Sequence, residues 1–171
     1  KGKSTSYLDG ALGVAVHMYI RAARSTKPSQ PLLDDLIATL AQAIAQFTAS
    51  DANLPSEILY GRSGLVLGLL QLRDAQLGSL TPPLLSEWLE AMIDSIFHHG
   101  KAMGTKSCRL MFEWHGKKYL GGAHGLTGIL YVLLQCREYW EKDKKRRRYV
   151  VNTIDALLTQ LKDGQFPTRW K

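Results

Sequence analysis

KKYLGGAHGLTGILYVLLQ, residues Lys117–Gln135, joins a glycine-rich turn to a helix that is apolar for most of its length. Gly121, Gly122, Gly125 and Gly128 fall within eight residues, although a glycine inside a helix costs roughly 1 kcal/mol relative to alanine. So dense a cluster implies a local geometric demand. His124 stands at the centre of it, at the helix entrance.

Two other stretches repeat the pattern: YLDGALGVAVHMY from Tyr7 and ILYGRSGLVLGLL from Ile58. Each carries G-x-x-G ahead of an apolar helix, with the pairs Gly10/Gly13, Gly61/Gly64 and Gly125/Gly128 recurring at intervals of 51 and 64 residues. Amphipathic helices lie between them, beginning near Pro31, Thr81 and Arg146. In the first, Leu33, Leu36, Ile37, Leu40, Ile44 and Phe47 follow the helical period; in the second, Leu85, Trp88, Leu89, Met92, Ile93, Ile96 and Phe97 do. Thr81 is placed as an N-cap, and Gly100 and Gly164 as helix stops.

An all-apolar helix is buried on every side, and an amphipathic one covers it from outside. Their alternation predicts an all-α protein with an inner and an outer layer, either an α/α barrel or a helical solenoid. The chain divides into three helix-pair units, at about 1–50, 51–105 and 106–171. Glycine pairs would let neighbouring inner-helix starts crowd together and leave N–H groups exposed around a cavity. His124, Arg62 and Glu57, all beside the glycines, would then face one ligand.

Composition narrows the class. The chain has 171 residues, 45% of them hydrophobic and 22% charged, which is a globular balance. No apolar run spans a bilayer, and the first residues have no signal-peptide core. Cys108 and Cys136 form no disulfide framework or metal motif, so a reducing, intracellular setting is expected. The net charge of +7 is concentrated in KDKKRRR, Lys142–Arg148. Placed after a helix, this run reads as a solvated, dipole-complementing turn, so no nucleic-acid partner is expected.

YLGGAHGLTGILY, SEILYGRSGLVLGLL and MFEWHGKKYLGGAHG together resemble the eukaryotic LanC-like proteins, relatives of the lanthionine synthetase C cyclases. The resemblance covers nearly the whole chain. It implies an α/α toroid of seven inner and seven outer helices, of which about three repeats are present. It also implies zinc, glutathione as co-substrate, and addition of the thiol to dehydroalanine or dehydrobutyrine in damaged or phosphorylated proteins. Zinc would lower the thiol pKa, and a nearby acid would protonate the enolate.

Residue by residue, the resemblance implies His124 as general acid or base and Glu57 as the carboxylate involved in proton transfer. Arg62 would grip an anion, and Tyr60 and Tyr119 would hydrogen-bond substrate, against the plainer role of aromatic packing. The family's W-C-H-G and C-H-G zinc segments do not occur here. Cys136 lies within an apolar helix and Cys108 in a loop, while His98 and His99 end a helix whose carbonyls they would bind. His17 and His115 are assigned to no metal, so no ligand is expected in this chain. The expectation is the N-terminal portion of a longer protein, cytoplasmic, with peripheral plasma-membrane association left open. A non-catalytic glutathione- or phosphoprotein-binding module, or an α-solenoid scaffold, is the alternative.

Overall fold

The computed structural model describes residues 6–8, 10–49, 53–75 and 80–170. Among them are six α-helices: α1 (Ala11–Ala23), α2 (Gln30–Thr48), α3 (Arg62–Ala75), α4 (Pro82–Met103), α5 (Leu126–Gln135) and α6 (Lys144–Leu158). Prolines in the first turn open α2 and α4, where their missing N–H is no loss. Thr81 has the extended backbone of an N-cap, but its side chain makes no capping bond.

The helices pack in an order that separates two layers. α3 touches α1, α4 and α5; α2 touches α1 and α4; and α6 packs on α5. Thus α1, α3 and α5 are successive neighbours, backed by the longer α2 and α4. The predicted stripe is the buried one: Leu33, Leu36, Leu40, Ile44 and Phe47 on α2, and Leu85, Trp88, Leu89, Met92, Ile93, Ile96 and Phe97 on α4. α1 and α5 are less enclosed than their composition suggested. Val14 is 59% and Tyr131 54% exposed, and a cleft of about 970 Å³ runs past them, reaching His17, Arg21 and Gln71.

The glycines serve a contact that recurs at all three helix starts. A Cβ on Gly13, Gly64 or Gly128 would collide with the carbonyl oxygen of Tyr7, Ile58 or Gly122, in each case six residues upstream. The chain before the helix doubles back, and its carbonyl rests on the first helical turn. Neighbouring units also meet there, since a Cβ on Gly68 would lie 2.8 Å from the Tyr7 ring. The first N–H groups of α3 and α5 are not left open as expected. Arg62 and Ser63 donate to Pro55 and Ser56 at 3.0 and 3.3 Å, and Leu126 and Thr127 to Tyr119 and Leu120 at 2.9 and 3.1 Å.

Arg62 does not face a ligand. It is fully buried: Nε donates to the Phe47 carbonyl (3.0 Å) and Ser95 Oγ (2.8 Å), and Nη1 to the carbonyls of Leu54 and Pro55. Nη2 lies 2.7 Å from His99 Nε2. The guanidinium is engaged by α2, α4 and the loop before α3, so the anion-gripping role is withdrawn in favour of a structural one. Burial pulls its pKa down to about 10. His99 faces Arg62 rather than its own helix carbonyls. A guanidinium only donates, so His99 Nε2 accepts and the ring is neutral; burial first, then Arg62 and His98, lower its pKa.

Three other boundaries differ from expectation. Gly100 lies within α4, buried where a Cβ would come 2.5 Å from the Phe112 ring, so it is a close-approach site rather than a stop. α6 ends at Leu158, and Gly164 (φ 75°) follows Asp163 (φ 50°) in a two-residue turn closed by Lys162 and Gln165. The basic run opens α6 instead of following a helix, which is the unfavourable end for cations. Asp143 offsets this as N-cap, accepting from the N–H groups of Lys145 and Arg146, and those bonds hold its carboxyl below the usual range. Arg146 turns back to Asp94 at 2.7 Å and over the Phe97 ring.

Gly64→Ala should lower stability by about 1–3 kcal/mol in urea unfolding, whereas Gly122→Ala, with nothing within 4 Å, should be close to neutral. Acidification should also weaken the fold. His99 binds its proton less readily when folded, so the unfolded chain takes up more protons as pH falls below about 6.5, and stability drops with it. His99→Gln, which keeps an acceptor for Arg62, should flatten that part of the pH–stability curve.

Candidate functional site

The loop before α3 and the loop before α5 meet where the Ile58 N–H donates to the Ala123 carbonyl at 3.2 Å. That junction brings together residues 67 positions apart. Glu57 Oε2 lies 2.7 Å from His124 Nδ1, with the Glu57 side chain 2% and the His124 side chain 27% exposed. Glu57 is fixed by its own turn: Oε2 accepts from the Leu59 N–H at 3.0 Å and Oε1 from the Tyr60 N–H at 2.5 Å. With both oxygens accepting, the proton between the two side chains belongs to His124 Nδ1. Nε2 is thereby left as the acceptor nitrogen of the imidazole.

Aromatic rings surround this pair. Trp114 stacks on His124 with centroids 4.0 Å apart and planes 6° from parallel. The rings of Tyr60 and Tyr119 lie 5.9 and 6.3 Å from it. Trp114 is carried by a tight hairpin, Trp114 pairing with Lys117 around His115 (φ 50°) and Gly116 (φ 69°). Positive φ at both central residues is the demand of such two-residue turns, and glycine meets it without strain.

Four of the five residues singled out from the sequence therefore share one place: Glu57, Tyr60, Tyr119 and His124. Arg62 is excluded by its burial. Trp114 was missed. Its signal was the aromatic residue directly ahead of His115-Gly116, a turn dipeptide that sequence reading treated only as a histidine beside a glycine.

The described residues do not suit zinc. No three His, Cys, Asp or Glu side chains among them converge. Both cysteines are buried, with the Cys108 thiol raised and that of Cys136 pushed up to about 12, chiefly by desolvation. His98 and His99 meet edge-on with ring centroids 5.4 Å apart, His17 lies in the cleft beside α1, and His115 packs edge-on against Trp114. No described helix is long and apolar enough to cross a membrane.

Comparison with known proteins agrees with the glycine pattern. The family profile described as "Lanthionine synthetase C-like protein" matches residues 1–171. Glutathione S-transferase LANCL1 of Danio rerio is 28% identical over 131 residues, which is 74% of this chain and 30% of that protein. LanC-like protein GCL1 of Arabidopsis thaliana is 38% identical over 80 residues, 46% of this chain and 18% of the relative. The matched regions thus span under a third of either relative's length. With repeated G-x-x-G helix starts and a profile match along all its residues, the chain belongs to the lanthionine synthetase C-like family.

Proposed function

We propose that this chain contributes the proton-transfer half of a glutathione transferase that adds the thiol to dehydroalanine or dehydrobutyrine in proteins. The observation that carries it is the 2.7 Å bond from Glu57 to His124 Nδ1, which leaves Nε2 as the working nitrogen. A relative that bears the name glutathione S-transferase supports the choice of thiol. The helices are proposed as three of seven units of an α/α toroid, and the activity as cytoplasmic, where glutathione is kept reduced. Zinc would take its ligands from outside the described residues, and no step below runs through it.

Neutral His124 accepts the thiol proton at Nε2 as the sulfur attacks the substrate Cβ. The Cα=Cβ electrons move onto the carbonyl, giving an enolate, and the imidazolium is stabilised by the Glu57 carboxylate. Nε2–H then returns the proton to Cα, leaving a thioether and regenerating the neutral ring. Glu57 acts by orienting the ring and stabilising its cation. Trp114 covers one face of the imidazole and excludes water from it.

His124→Asn should lower turnover by about 10²–10⁴-fold while glutathione binding is retained, the range for loss of a general acid–base group. Glu57→Gln should cost about 10–100-fold through misorientation of the ring. Undiminished turnover in His124→Asn removes the histidine from the reaction. Glutathione binding without any turnover in the full-length, zinc-loaded protein would instead make it a binding module.

A further inference from the structure

Beyond Tyr119 the site continues onto a short ribbon. Leu120 donates its N–H to the Thr168 carbonyl (3.1 Å) and Trp170 its N–H to the Lys118 carbonyl (2.8 Å), which pairs Tyr119 with Arg169. The bonds flank the pair instead of joining it, so this is the close, non-hydrogen-bonded type of antiparallel pair, with Cα atoms about 4.5 Å apart. Directly opposed side chains leave a ribbon on the same side. Arg169 therefore stands beside the Tyr119 ring, whose aromatic neighbours are Trp114 and His124.

A cleft of about 490 Å³ opens at this ribbon, lined by Glu113, Lys117, Lys118, Thr168, Arg169 and Trp170. Its volume is within the range of small-molecule sites. Glu113, Lys117 and Arg169 are exposed and Lys118 half-buried. Among the described residues these four form no ion pair with one another or with other side chains. Three cations and one carboxylate are thus gathered on the hairpin and ribbon that carry Trp114 and Tyr119, the rings beside His124, the kind of charge focusing that concentrates an anionic ligand.

We infer that this cleft is the subsite for the charged ends of a small zwitterionic peptide with two carboxylates and one ammonium, the pattern of glutathione. The charges of cleft and ligand are complementary group for group. Arg169 offers a planar fork to one carboxylate, Lys117 and Lys118 serve the other as point charges, and Glu113 accepts from the ammonium. Glu113 also favours a ligand that carries an ammonium over inorganic phosphate or a phosphoryl group, which offers it no partner. The thiol end of the peptide would extend past Tyr119 toward Nε2 of His124. The inference rests on the glutathione reading above and names the residues that select for it.

The test is isothermal titration calorimetry of the full chain with S-methylglutathione, which keeps the charges but cannot react. Lys117→Gln combined with Arg169→Gln should raise the Kd at least about tenfold. Lys162→Gln, an exposed cation on the neighbouring turn, should leave it unchanged. Glu113→Gln should weaken S-methylglutathione but not its des-amino analogue. Equal affinity in the wild type and the double variant would dismiss the cleft while the glutathione reading stands. No binding by the wild-type chain would dismiss both. Inorganic phosphate bound as tightly as S-methylglutathione would overturn the zwitterion assignment.

Discussion

A carbonyl oxygen resting on the first turn of a helix is the contact on which the remaining features depend. It can form only where the helix has no Cβ, as at Gly13, Gly64 and Gly128. Once formed, it folds the preceding loop back along the helix and turns the loop carbonyls toward the helix's own N–H groups. Pro55, Ser56, Tyr119 and Leu120 accept them. The loop becomes part of the helix terminus, and a side chain carried by it gains the rigidity of an element. Glu57 and His124 both ride on such loops, which is how residues distant in sequence hold a 2.7 Å bond.

The second determinant is the buried guanidinium of Arg62. Its acceptors come from the end of α2, from α4 and from the loop carrying Glu57. Among the described residues, carbonyl and hydroxyl oxygens and a neutral imidazole receive its N–H groups, which helps to make a buried charge tolerable. It joins the outer helices to the site loop by polar bonds of fixed direction. Apolar packing between α3 and α4 alone would leave that loop freer to slide.

Layering, helix positions and the buried stripes of α2 and α4 were legible from spacing alone, because period and apolarity report burial directly. His124 and Glu57 were legible because glycine pairs mark the helix starts where loops converge. Arg62 was misjudged for a physical reason: an arginine beside a glycine pair reads the same whether its fork meets a ligand or backbone carbonyls. The basic run was placed at the wrong helix end since KDKKRRR contains its own N-cap, Asp143, and a single aspartate among six cations is easily read as part of the run. Trp114 and Arg169 were hidden because their positions follow from hairpin and ribbon pairing, which depends on chain returning from far away.

The Arg62 cluster also constrains how this sequence can drift. Ser95 bonds both Arg62 and the Phe47 carbonyl, and His99 supplies the ring nitrogen on the other side. Replacing the arginine alone would remove the donor from several of these acceptors, whereas without Ser95 the Nε–H would still reach the Phe47 carbonyl. Ser95 and His99, both on α4 and 33 and 37 residues from Arg62, are thus tied to it by direct polar contact. A variant without the arginine must rebuild the corner between α2, α3 and α4 in concert, so several neighbouring positions change together or not at all.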